Sequence, residues 1–283
     1  MGTRTVLAVL CTVLPVAVLL RYFYVRDAHR EPRSVLVKTF LLGLLATIPV
    51  VLLDLALEAL RPASLSLLQG ALYEAFVLAA IPEELLKLAV ILRYSMRRVS
   101  FGEPMDGIVY GATAALGFAF LENALYVAQG GLVVAALRSV TAVPMHAAAG
   151  AILGHFAARS RFARGGRFEA CKGLAAAVTL HGLYDFAALG AAGLATGIPA
   201  GAPARTGEVL GLLALWLATL ITSIVWTIRL VRRTRREQLS LVPSASTTPS
   251  REAGPGEAAD ASREIPPSPS EGNRETEGKD RVA

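Results

Sequence analysis

The chain has 283 residues, 54% of them hydrophobic and only 7% aromatic, with a mean hydropathy of +0.51. That is too apolar for an ordinary soluble domain and excludes one. The formal charge of +6 raises nucleic-acid binding, but the Arg residues sit at the ends of apolar runs, which points to membrane topology and to no nucleic-acid partner.

The first apolar run covers residues 5–25, with Pro15 inside it. No small-residue cleavage site follows, and Arg21 and Arg26 close the run, so it reads as a retained helix. Further runs follow at about residues 35–60, 65–92, 105–128, 132–158, 172–195 and 208–231. Each is long enough to cross a hydrocarbon layer of about 30 Å at about 1.5 Å per residue. The expected fold is an all-α polytopic membrane protein with about seven transmembrane helices. Every second gap is basic: Arg21, Arg26, Arg30 and Arg33; then Arg93, Arg97 and Arg98; then Arg159 to Lys172; then Arg229 to Arg236. This alternation places the N-terminus outside and the C-terminus in the cytoplasm, in a cell membrane.

Composition changes after Arg236. From Glu237 onward nine acidic residues face five basic ones, which leaves residues 1–236 at about +10. Residues 1–236 are expected to form the membrane domain, and 237–283, rich in Ser, Pro and Glu, a disordered cytoplasmic tail. Cys11 and Cys171 lack metal-type spacing and read as inert thiols.

Charges inside the spans carry the functional signal. Glu83, Glu84 and Lys87 lie within the third run, where each costs roughly 2.5–3.5 kcal/mol on insertion scales. Lys87 follows Glu83 by four residues and Glu84 by three, so all three share a helix face. Pro82 deprives the Leu78 carbonyl of its helical donor and loosens the helix just before the charges. The next three runs carry Glu122-Asn123, Pro144-Met-His146 and His181-x-x-x-Asp185. His146, Asp185 and the Glu pair fall in the middle half of the bilayer, with Glu122 nearer the outer side. Pro144 is expected to weaken its helix before His146, as Pro82 does before Glu83. Gly107-x-x-x-Gly111 and Gly150-x-x-x-Gly154 are small-xxx-small patterns that let helices approach closely. His155 reads as a packing residue and Glu74 as interfacial. Glutamate and neutral imidazole can ligate zinc while a second glutamate acts as base, and a carboxylate four residues on can orient an imidazole. Hydrolysis is one use of such a set; a proton- or ion-coupled relay and a catalytically silent scaffold are others. If the set is one site, Glu83 or Glu84, His146 and His181 must converge to ligation or one-water distance.

Glu83-Glu84-x-x-Lys87, Phe118-x-x-x-Glu122-Asn123, Arg138 followed by His146, and His181-x-x-x-Asp185 resemble, in order, the motifs of the PrsW family of intramembrane proteases. That family is related to the CAAX-prenyl-endopeptidase-like membrane proteases. The resemblance covers roughly residues 75–190. It implies a membrane-embedded endopeptidase whose substrates are membrane-anchored regulatory proteins such as anti-sigma factors. Carried over by position, Glu83, Glu84, Glu122, His146 and His181 would be catalytic, with Lys87, Asn123 and Asp185 supporting them. Glu84, His146 and His181 would be the metal ligands if the enzyme uses zinc. A metal-free mechanism, with glutamate activating water, stands beside it.

Overall fold

A computed structural model describes residues 3–162, 166–196 and 205–240. Among these residues the regular structure is entirely helical. The helices are α1 (Thr3–Arg26), α2 (Arg33–Glu58), α3 (Leu67–Tyr73), α4 (Ile81–Arg93), α5 (Pro104–Val140), α6 (Ala142–Phe162), α7 (Arg167–Thr196) and α8 (Thr206–Ser240). A π-helical segment, Glu74–Ala80, joins α3 to α4. α8 continues past the boundary expected at residue 236, and the expected tail from residue 241 lies outside the described residues.

Among the described residues five segments are long and apolar enough to cross a membrane: Arg33–Glu58, Pro104–Gln129, Gly131–Phe162, Arg167–Thr196 and Thr206–Ser240. The chain is a polytopic all-α membrane protein. Its exposed surface agrees, since Leu52, Leu55 and Leu210 stand at least 60% exposed, a pattern suited to lipid.

Two spans form the centre. The most apolar part of Pro104–Gln129 is 72% buried, against 17% for that of α8. α5 and the chain after it run antiparallel because α5 breaks at Gly131, where φ is +78°. That backbone region favours glycine, and a Cβ there would meet nothing, so conformation alone demands the residue. The break turns the chain back, so that Arg138 meets Glu122 and Tyr126, and Ser139 shares the Cys11 carbonyl with Asn123. α6 then descends against α5 with Gly107 and Gly111 facing Gly154 and Gly150. A Cβ on Gly111 would overlap the Gly150 carbonyl and the Gly154 backbone, so the small-xxx-small reading holds. Replacing Gly111 by Val is expected to destabilise the protein by at least about 1–3 kcal/mol, read as a fall in thermal unfolding temperature in detergent.

The loosening expected at Pro82 takes the form of the π segment. The Ile81 N–H reaches back five residues to the Phe76 carbonyl, so the chain is widened just before the charges. Pro144 differs from expectation. α6 begins at Ala142 after a break at Thr141, whose φ is −126°, so Pro144 lies in a first turn. Its missing N–H has no helical partner to lose there. The break, rather than the proline, delivers His146 to the bundle interior.

Candidate active site

Side chains from α4, α5, α6 and α7 meet in one buried cluster. One ligand-type atom each from Glu83, Glu84, His146 and His181 lies within 4.8 Å of the others, and all four residues are buried. The convergence required of a shared site is met. The helix face expected on α4 is present, since Glu83, Glu84 and Lys87 all point inward with Leu88 and Ile91.

Lys87 is the hub. Its ammonium donates to Glu83 Oε2 at 3.0 Å, to Glu84 Oε1 at 2.8 Å and to His146 Nδ1 at 3.1 Å. Three donors thus meet three acceptors, and the side chain has no exposed surface. The Phe118 ring covers it, 4.4 Å from nitrogen to centroid. Because an ammonium only donates, His146 Nδ1 is the accepting nitrogen. The N–H of a neutral ring is then on Nε2, which stands 2.8 Å from Glu122 Oε2.

Glu122 sits at the same level as the cluster, deeper than its sequence position suggested. Its other oxygen is 2.7 Å from Arg138 Nη2. Arg138 reaches it only because the chain reverses at Gly131, and its guanidinium lies 3.7 Å from the Tyr126 ring centroid. His181 lies between two carboxylates, with Nδ1 2.9 Å from Glu84 Oε1 and Nε2 3.1 Å from Asp185 Oδ2. The His-x-x-x-Asp spacing therefore makes the direct contact. The two imidazoles meet edge to face, their centroids 4.9 Å apart. Tyr184 donates to Thr141 Oγ1 at 2.9 Å and fixes α7 against the break before α6.

Asn123 is the exception among the expected residues. It is buried, but its amide nitrogen is 3.4 Å from the Cys11 carbonyl of α1. One residue on an α-helix is a turn of about 100°, which carries Asn123 away when Glu122 faces inward. Its place is between α5 and α1, where Ser139 donates to the same carbonyl. Glu74 pairs with Arg61 at 2.7 Å and is partly exposed, well apart from the cluster.

Residues 31–229 match the family described as PrsW family intramembrane metalloprotease. The chain belongs to the PrsW family. It is 34% identical over 212 residues to "Protease PrsW" of Geobacillus kaustophilus, an alignment covering 74% of this chain and 87% of that one. It is 33% identical over 177 residues to "Protease PrsW" of Bacillus subtilis, covering 62% and 79%. "Protease PrsW" of Clostridioides difficile is 29% identical over 185 residues, covering 60% and 75%. No solved structure matches the chain. As a PrsW-family member, the protein is a membrane-embedded peptidase that acts on protein substrates in the membrane.

The family description names a metal, and the residues fit one. The donors are two carboxylates and two imidazoles, a set suited to zinc. Glu84 Oε2 is buried without a hydrogen-bond partner. Charge agrees as well. Glu83, Glu84, Glu122 and Asp185 bring four negative charges, while Lys87, Arg138 and a His181 ring that meets a carboxylate at each nitrogen return no more than three. A cation held there would lessen the remaining negative charge.

The Asp185 contact yields an expected result. In an Asp185→Asn protein the His181 ring loses its charged partner while the side-chain shape is kept. Proteolysis is expected to fall about 10- to 100-fold with the unfolding temperature little changed. Rate and unfolding measured on one purified sample check this.

Proposed function

We propose that the protein is a cell-membrane endopeptidase that hydrolyses a peptide bond in membrane-anchored regulatory proteins of the anti-sigma-factor kind, through the Glu83–Glu84–His146–His181 cluster. The observation that carries this reading is the convergence of those four donors, from three different helices, around a buried and fully hydrogen-bonded lysine. Seven membrane crossings, with the N-terminus outside and the C-terminus in the cytoplasm, complete the proposal. The basic gaps of the sequence support that orientation.

Roles follow from position. Glu84, His146 and His181 would hold the metal, Glu84 through its unpartnered Oε2 and His146 through Nδ1, which the Lys87 ammonium would then release. When bound, zinc would make an attacking hydroxide accessible near neutral pH. Glu83 Oε2 stands 3.9 Å from His146 Nδ1 and from His181 Nε2, close enough for one water to touch the carboxylate and either ring. Glu83 takes the proton of the water that attacks the scissile carbonyl carbon. As the carbon–nitrogen bond breaks, the same carboxyl returns that proton to the leaving nitrogen. Lys87 holds the two glutamates in register and, with Arg138, opposes the negative charge that develops on the carbonyl oxygen. Glu122, itself held by Arg138, and Asp185 orient His146 and His181. Glu83 retains its role if the reaction proceeds without metal.

The test is cleavage of a single-span, membrane-anchored reporter by the purified protein in proteoliposomes. Wild-type protein should release the extramembrane part, and Glu84→Gln and His181→Ala should not. A folded wild-type protein that leaves the reporter and a panel of anchored regulatory proteins intact contradicts the proposal. Metal analysis of the same samples should find zinc in the wild type and less in both variants.

A further inference from the structure

A second group of carboxylates gathers at the opposite end of α5, where α1 ends and α8 passes. Asp27 follows α1, Glu31 precedes α2, Glu103 caps α5 and Asp106 lies in its first turn. Sixteen residues of α5 separate Asp106 from Glu122, about 24 Å along the helix, so this group is distinct from the active site. One ligand-type oxygen each from Asp27, Glu103 and Asp106 lies within 4.8 Å of the others.

Ordinary capping explains only part of it. Asp106 Oδ2 accepts from the N–H groups of Gly102 at 2.7 Å and Glu103 at 2.9 Å. Asp27 Oδ1 accepts from the His29 N–H at 3.0 Å and from Gln238 Nε2 at 2.8 Å. Gln238 Nε2 also serves Glu103 Oε1 at 2.6 Å, and His29 Nδ1 stands 3.0 Å from the same oxygen. The second oxygens, Asp27 Oδ2 and Asp106 Oδ1, are buried with no donor at all. Asp27 is 3% exposed and Asp106 2%. Glu31, also buried, receives its own donor from Tyr110.

Three carboxylates therefore crowd one place, and Glu31 is held close by through Tyr110, one turn after Asp106. Among the described residues no Lys or Arg pairs with any of them, and the one titratable base present, His29, is 59% exposed. Two carboxylates in contact without a cation repel, and a buried oxygen without a donor loses its hydration uncompensated. A bound cation removes both penalties. All the donors are hard oxygens, and the partly exposed Glu103 leaves a way in from water.

We propose that Asp27, Glu103 and Asp106, with Glu31 beside them, form a second cation site that takes a hard divalent ion, Ca2+ or Mg2+, and ties the ends of α1, α5 and α8 together. The site has no part in hydrolysis; its ion fixes the helix ends that frame α5.

Calorimetric titration of the purified full chain, with Ca2+ and Mg2+ in separate runs, tests this without an activity readout. The wild type should bind one equivalent of at least one of the two ions, and that ion should raise its unfolding temperature. A Glu84→Gln/His181→Ala protein should keep both responses, which separates this site from the active one. Asp27→Asn/Asp106→Asn should lose them or bind at least tenfold more weakly. Glu103→Gln changes a half-buried residue without altering its shape and should weaken binding too, which covers failure of the double variant to fold. A folded wild type that binds neither ion overturns the proposal, as does equal binding by the wild type and Glu103→Gln. Loss of the response in Glu84→Gln/His181→Ala would also overturn it, by placing the ion in the active site.

Discussion

Replacing Glu83 by Gln should leave a folded protein that cleaves a membrane-anchored substrate about 10²- to 10⁴-fold more slowly, the usual worth of a positioned general base. The amide keeps the size of the carboxylate and still accepts from Lys87 through its oxygen, so the local packing survives. It cannot take a proton from water. Single-turnover cleavage in proteoliposomes measures the effect, and an unchanged unfolding temperature shows that it is chemical. A loss smaller than tenfold would remove Glu83 from the role of base.

Lys87→Met should do the opposite, damaging the fold first. Lys87 is fully buried and is the common partner of Glu83, Glu84 and His146. Methionine fills similar space but leaves both glutamates without a cation in a low-dielectric interior. Breaking a buried pair from one side costs about 3–5 kcal/mol, and here two carboxylates are stranded at once. Thermal unfolding in detergent should show a large fall, together with loss of cleavage. Lys87→Arg is not a conservative rescue, because a planar guanidinium cannot direct three bonds to the positions an ammonium reaches.

These two residues illustrate what the sequence made legible. Spacings of three and four residues on one helix are local, so the shared face of Glu83, Glu84 and Lys87 followed from numbering alone. The same is true of His181 with Asp185 and of the glycine pairs of α5 and α6. The apolar lengths set the starts of α1, α2, α5 and α8 to within a few residues, whereas α8 runs on to Ser240 past the expected residue 231, and the run expected from residue 132 begins in α5 before α6 starts at Ala142. What was hidden depends on breaks and distant pairs. Gly131 looks like one of many glycines, yet its positive φ reverses the chain and puts Arg138 on Glu122. Asn123 stands next to a site residue in sequence and turns away in space, because helix faces change with every residue. The break at Thr141 gave Pro144 a harmless place that the apolar run did not reveal. Glu103 and Asp106 share a capping-box spacing, but no spacing rule links that pair to Asp27, Glu31 or Gln238.

Both carboxylate groups rest on one physical premise, that charge buried near lipid must be answered by charge. In the candidate active site the answer is Lys87 and Arg138, with the metal proposed for the Glu and His donors. At the other end of α5 few side chains give an answer, and an ion from solution is proposed instead.

The central claim is that groups on separate helices act as one hydrolytic centre. The most direct measurement is a double-mutant cycle on cleavage rate in proteoliposomes, using Glu83→Gln, His181→Ala and the two combined. Residues that act as a unit are strongly non-additive. The combined variant should therefore be hardly slower than the slower single variant. Losses that multiply, or a His181→Ala protein that cleaves at the wild-type rate, would contradict a single shared site.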